Sequence, residues 1–409
     1  MVEEHQLLKT MEIIKSKGNP ILPFGINMCD CEAHVLSDGL LHVIGSVDVK
    51  DNEYCSTYYH HIYTSDMVNW TIERKFFEWN QEDGLKLYAP DFCEISGKIY
   101  VFFCLSDGRE GYVFADDWAG LKNARVNFLP IEGIDPAVIV DGDRIYLFWG
   151  QFHLNGAELH VEEDGHLRID NAVHNVLTEE EHYFHEGASI RKVGDDYYLL
   201  YASIINTKPT CLDVAVSKTI FGPYERIGTI IDNKNCDPGV WNNHGSIQCF
   251  KGQWYIFYHR SMNNSPYLRH LCLEPIDLCS VKSKKITKMT SIGPGDCLKQ
   301  LSAYAYSELL GKAYAKIIIN NMYLCVTTGD KIYFTNCCSS ALGCVKKLKT
   351  NGVLFISWLW NGEVLERSIN ILGYNVVIYE NRSLNLKEGD LCISIDKSLR
   401  KKTVITRWD

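Results

Sequence analysis

A carboxylate or an imidazole stands at the same place in five related stretches of the 409-residue chain: Asp30, Asp91, Asp135, Glu186 and His244. Residues of these types, brought to one small space, can do proton chemistry. Like charges packed together raise one another's pKa, so one carboxyl stays protonated near neutral pH while another remains ionised. A protonated carboxyl on one side of a sugar bond and an ionised one on the other is the apparatus of glycoside hydrolysis. Whether the five residues converge depends on the elements that carry them.

The clearest copy runs from Tyr183 to Ser203. In it Glu186 precedes a short strand over 188–192, a turn at Gly194-Asp195-Asp196 and an apolar, Tyr- and Leu-rich strand over 197–202. Glycine supplies the backbone angle of a tight hairpin, and aromatic residues suit a pleated, packed surface. The same grammar follows Asp30, Asp91, Asp135 and His244, with turn glycines at 39, 97, 142, 194 and 252. Each hairpin is followed by a further strand-like piece, such as 60–70 or 212–218. Several strands repeated at about 40–50 residues are the signature of a propeller, because one small sheet cannot bury both of its faces alone. Five units predict an all-β, five-bladed β-propeller over residues 19–285, the alternative being a sandwich with similar hairpins. In a propeller the first strand of each blade lines the central channel. The five residues then meet at one mouth of the axis.

Composition narrows the partners. A net charge of −10 argues against nucleic acid, whose binders carry a basic patch, and an aromatic content of 12% leans towards β structure. No apolar run approaches the length that spans a membrane. Residues 1–18 are charged, amphipathic and without a signal-peptide core, and are expected to form a short surface helix. The 16 cysteines include Cys104, Cys249 and Cys272 inside apolar strand patterns, where a thiol packs as a small hydrophobe. Cys29/Cys31 and Cys337/Cys338/Cys344 cluster, but without two spaced Cys-x-x-Cys pairs. The expectation is a cytoplasmic protein with reduced thiols. Oligomeric state is not legible.

The ordered set resembles glycoside hydrolase family 43, the five-bladed arabinofuranosidases, β-xylosidases and arabinanases, over roughly residues 19–285. That resemblance implies a general base at Asp30, in Asp30-Cys-Glu-Ala-His-Val. It implies a general acid at Glu186, in His-Glu-Gly-Ala-Ser, and a third carboxylate at Asp135, in Gly-Ile-Asp-Pro, that orients the acid and keeps its pKa high. It further implies an axial His244 near which many members hold an ion such as calcium, and a substrate-binding arginine at Arg260. No cofactor is required for the chemistry itself. Cys31 departs from the pattern, since the family places a backbone-fixing Pro after the base. The implied reaction is inverting, with base and acid about 6.5–9.5 Å apart to admit water. The expected activity is exo-release of terminal L-arabinofuranose or D-xylose from plant-type oligosaccharides.

Each candidate has a plainer reading. Asp30 and Asp135 suit turns that bond their own backbone, and His244 suits a satisfied buried histidine. Asp91 is expected to position either substrate or its blade. Trp79, Trp149 and Trp241 suit blade packing as well as sugar stacking. A glycoside phosphorylase, for which only Arg191 and Arg260 offer basic character, and a non-catalytic sugar-binding propeller are the alternative functions. Beyond residue 286, alternating runs at 315–319, 322–326, 331–334, 353–360, 375–379 and 391–395 predict an accessory antiparallel β-sandwich, like a carbohydrate-binding module, over 286–409.

Overall fold

The computed structural model describes residues 11–15, 21–22, 26–50, 52–81, 83–205, 211–232, 242–260, 267 and 269–278, and the backbone of short strands between 287 and 407. Two compact units divide the chain: residues 1–16, 27–261 and 265–290 form one, and residues 17–26, 262–264 and 291–409 the other.

The first unit is built of five antiparallel sheets. Blade one holds β1 (Met11–Lys15), β2 (Cys29–Val35), β3 (Leu41–Ser46), β4 (Tyr58–Thr64) and β5 (Asn69–Glu78). Blade two holds β6 (Asp91–Ile95), β7 (Lys98–Cys104), β8 (Arg109–Ala115) and β9 (Asn127–Glu132). Blade three holds β10 (Ala137–Asp141), β11 (Arg144–Trp149), β12 (His153–Val161) and β13 (Leu167–Thr178). Blade four holds β14 (Phe184–Val193), β15 (Asp196–Ser203), β16 (Cys211–Ser217) and β17 (Glu225–Asp232). Blade five holds β18 (Gly245–Phe250), β19 (Gln253–Arg260) and β20 (His270–Ile276). A two-residue β21 (Thr287–Lys288) pairs parallel with β17.

The first strands touch in the cyclic order β2, β6, β10, β14, β18 and back to β2, which closes the sheets into a ring around an axis. The five turn glycines all lie in the left-handed region, at φ between +62° and +81°. Each second strand is buried along most of its length, because both faces of a blade pack on neighbours. The hydrophobic clusters accordingly lie between blades: Tyr59, Phe77 and Trp79 with Phe103, Phe102 and Tyr112 with Trp149, and Phe148 with Phe184 and Tyr201. Trp79 and Trp149 are thus packing residues, while Trp241 lies outside the described residues.

The N-terminal helix expected over 1–18 is not what forms over its described part. Residues 11–15 are strand β1, paired antiparallel with β5 from Met11↔Glu73 to Lys15↔Asn69. An outermost strand presents unpaired backbone groups, and satisfying them overrides a weak helical preference.

In the second unit, β22 (Ile317–Asn320), β23 (Tyr323–Thr328) and β24 (Lys331–Asn336) form one antiparallel sheet. A second contains β25 (Val353–Trp360), β26 (Glu363–Asn370), β27 (Asp390–Ile395) and β28 (Thr403–Arg407), in the order β26-β25-β27-β28. The strand expected at 375–379, and the face-to-face packing that would make a sandwich, lie outside the described residues.

Candidate active site

Three of the expected carboxylates come together at one mouth of the ring, and the backbone aims them. Asp30 and Asp135 stand at φ +49° and +58°, and Gly187, which follows Glu186, at +67°. The register of β2 breaks between Cys29 and Glu32, and that of β14 on either side of Glu186. A bulge of this kind redirects a side chain that regular pleating would send elsewhere.

Asp30 is buried at the start of β2. Its Oδ1 accepts a hydrogen bond from Arg269 Nη1 at 2.7 Å and lies 3.3 Å from His259 Nδ1. Its backbone N–H donates to the same ring nitrogen at 3.1 Å. Burial pushes the Asp30 carboxyl up, but Arg269 and His259 together outweigh it and hold the group below its ordinary value. Arg269 is itself clamped by Asp48, which accepts from Nε at 2.8 Å and from Nη2 at 2.9 Å. A fully buried guanidinium between two carboxylates keeps its charge, and so fixes theirs.

Asp135 and Glu186 go the other way. Burial, then the neighbouring Glu186 and Asp30, raise Asp135 well above the carboxylate range. Its Oδ2 accepts from the Gly187 N–H at 3.0 Å, which couples it to the strand carrying Glu186. Glu186 is raised mainly by burial, against His185 and a hydrogen bond from Gln151 Nε2 to Oε2 at 2.8 Å. Its side chain keeps 14% of its surface exposed. One ionised carboxylate thus faces two carboxyls inclined to hold protons.

His244 joins this group, with Nδ1 3.9 Å from Asp135 Oδ2. A Cβ at Gly187 would lie 2.9 Å from the same nitrogen, so the strand approaches the ring as closely as glycine allows. Burial lowers its pKa to about 4, which leaves a neutral imidazole able to bind an ion. Among the described residues, however, the one set of three ligand atoms lying close together is Glu32, His34 and Asp91, deeper in the channel. That set is already engaged. Arg191 Nη2 donates to Glu32 Oε2 at 2.9 Å, His34 Nε2 bonds Asp91 Oδ1 at 2.8 Å, and the Val138 N–H donates to Asp91 Oδ2 at 2.6 Å. Calcium takes six to eight oxygens, and a guanidinium on one of two carboxylates does not fit it.

These contacts also revise the expectation for Asp91. It is wholly buried, and both oxygens are taken by blades one, two and three. It therefore ties blades together and is not placed to touch substrate. Arg260 ends β19, buried and in register with His270; the arginine in contact with Asp30 is Arg269. Sequence reasoning missed Arg269, Asp48, His259 and Gln151. The available signal was a charged residue at the start of an apolar strand, in Leu-Arg269-His-Leu-Cys-Leu.

Comparison with known proteins agrees with this geometry. The profile of Glycosyl hydrolases family 43 matches residues 52–279, more than half of the chain. A xylosidase/arabinosidase of Thermoclostridium stercorarium is 29% identical, with 69% of each chain covered. Among solved structures, a family 43 subfamily 1 enzyme from Xanthomonas citri superposes with a TM-score of 0.55 at 22% identity, covering 71% of this chain and 97% of that one. A β-xylosidase/α-arabinofuranosidase from a compost metagenome, solved with xylotriose in a calcium-free form, gives 0.53 at 21% identity, covering 65% and 96%. The five-bladed ring, the carboxylates at its mouth and the matching profile lead to one conclusion: the chain belongs to glycosyl hydrolase family 43 and is a glycosidase.

Proposed function

We propose that this glycosidase releases terminal D-xylose or L-arabinofuranose from oligosaccharides by a single, inverting displacement. Asp30 takes a proton from water as that water attacks the anomeric carbon. Glu186 protonates the departing oxygen, and Asp135 holds Glu186 in place and disfavours its ionisation. The observation that carries this assignment is the opposed pKa shift within one site: Asp30 is held down, Asp135 and Glu186 are pushed up. Supporting the sugar class are the xylosidase/arabinosidase relative and the xylotriose bound to a protein of the same fold. Phosphorolysis would need cations facing the reacting carbon, yet Arg191 is held by Glu32 and the Ala33 carbonyl, and Arg269 by Asp30 and Asp48.

The test uses aryl β-D-xylosides and α-L-arabinofuranosides with good and poor leaving groups. Glu186→Gln should lower kcat by about 10²–10⁴ on poor leaving groups and far less on good ones. Equal losses on both would remove Glu186 as the acid. NMR of the first-formed sugar should show the inverted anomer, and turnover should not depend on inorganic phosphate.

A further inference from the structure

The two oxygens of the Asp30 carboxylate are treated differently. Oδ1 has the strong donor, Arg269 Nη1 at 2.7 Å, with His259 beside it. Among the described residues, the hydrogen-bond donors to Oδ2 are both sulfur: Cys29 Sγ at 3.6 Å and Cys55 Sγ at 3.7 Å. Cys55 is the better placed of the two. It accepts from Arg269 Nη2 at 3.4 Å, which leaves its own proton for Oδ2. Its backbone sits at φ +60°, and its N–H is pinned to Asp48 Oδ1 at 2.8 Å. A left-handed non-glycine residue persists where its surroundings over-determine it. Cys29 shares its proton among Asp30 Oδ2, the Ser46 carbonyl at 3.6 Å and Asp48 Oδ1 at 3.7 Å. Both thiols are buried, and burial keeps both protonated.

We propose that Cys55, seconded by Cys29, is a positioning residue for the general base: their weak S–H donors orient Asp30 Oδ2 without quenching it, and so make Oδ2 the oxygen that takes the proton from water. This rests on Asp30 being the base. An S–H group is a weak donor. A hydroxyl or N–H in its place would stabilise the carboxylate more and lower its basicity, as the Arg269 donor on Oδ1 does. The division of labour is thus built from the softness of sulfur. The other titratable groups around Asp30 are Asp48, His244, His259 and Arg269, the carboxyls of Asp135 and Glu186, the Cys31 thiol, and the phenols of Tyr54 and Tyr59. Of these, His259 and Arg269 touch Oδ1.

Serine and alanine at position 55 should move the acid limb of the kcat profile in opposite directions. Cys55→Ser supplies a stronger donor, so the limb should fall by about half a pH unit, with kcat down about fivefold and KM changed less than twofold. Cys55→Ala removes the donor, so the limb should rise. A limb that stays put in both folded variants, or moves the same way in both, overturns the proposal. Should either variant misfold, Raman spectra of the intact enzyme decide. The S–H stretch that moves in the wild-type minus Asp30→Ala difference spectrum should lie below that of an unbonded thiol in the wild type, and an S–H region unaffected by Asp30→Ala counts against it. Hydrolysis by Asp30→Ala at the wild-type rate would remove Asp30 as base even if the band moves; azide rescue of a dead Asp30→Ala would uphold it.

Discussion

The channel carries two tiers of carboxylates, both largely buried, and what separates their behaviour is the set of groups around each. At the mouth are Asp30, Asp135 and Glu186; below them are Glu32 and Asp91 with His34 and Arg191. In the lower tier burial pushes both carboxyls up to about 7. Asp91 has its oxygens filled by hydrogen bonds, and Arg191 reaches across from blade four to Glu32 in blade one. This tier joins blades. At the mouth burial acts in the same sense on all three groups, and only Asp30 escapes it, because Arg269, with His259 beside it, stands against its carboxylate. Burial inclines Asp135 and Glu186 to hold protons, and the guanidinium inclines Asp30 to stay ionised, as the proposed acid and base roles require. A cavity of about 440 Å³ beside the lower tier, lined by His34, Ser37, Glu94, Arg191 and Lys192, has none of the three mouth carboxylates in its wall.

Removing the guanidinium should abolish the distinction between the tiers. Arg269→Met is expected to lose about 100-fold or more in kcat, with the acid limb of the profile moving to higher pH. It should also destabilise the protein by about 3–5 kcal/mol, since Asp30 and Asp48 are left as uncompensated buried charges. Urea titration beside the pH profile separates the two effects; an unmoved limb in folded protein would mean that Arg269 does not set the base. A smaller disturbance comes from Gly187→Ala, where the added methyl meets His244 and the φ of +67° favours glycine. We expect a cost of about 1–2 kcal/mol and a kcat loss larger than the KM change.

The smallest effect on turnover belongs to the lower tier. Glu32 has a folded pKa raised from 4.5 to about 7, so its protonated form favours folding. That contribution is complete below the unfolded value and is lost as pH rises through about 7. Glu32→Gln should flatten the fall in Tm between roughly pH 4 and 8 while leaving kcat within about threefold. A large kcat loss with an unchanged Tm profile would put Glu32 in the reaction instead.

Much of this comparison was legible in the chain. The turn glycines and the residue before each first strand repeat with the blades, so local pattern was enough to place Asp30, Asp135 and Glu186 at one mouth. The failures are of another kind. Asp91 obeys the same pattern, yet its backbone lacks the left-handed turn that lifts Asp30 and Asp135, and no residue type announces that angle. Arg269 acts on a residue 239 positions earlier, and Cys55 lies on the loop between β3 and β4; neither belongs to the repeating frame. Strand β1 formed because β5 offered an open edge, which depends on tertiary neighbours and not on the composition of 11–15.

The seam between first and last blades holds a further lesson. Asp30 takes its Arg269 and His259 contacts from blade five and the loop leading to its last strand, and Ser246 Oγ closes the same seam by donating to the Cys31 carbonyl at 3.0 Å. The groups held against Asp30 therefore come from the last blade of the ring and meet a partner more than 200 residues earlier in the chain. Such long-range closure is the slow part of folding a β-rich chain. Without blade five, Asp30 lacks the Arg269 and His259 contacts that hold its carboxyl down. With Asp30 as the proposed base, turnover is expected to report closure of the ring more directly than a spectroscopic measure of strand content.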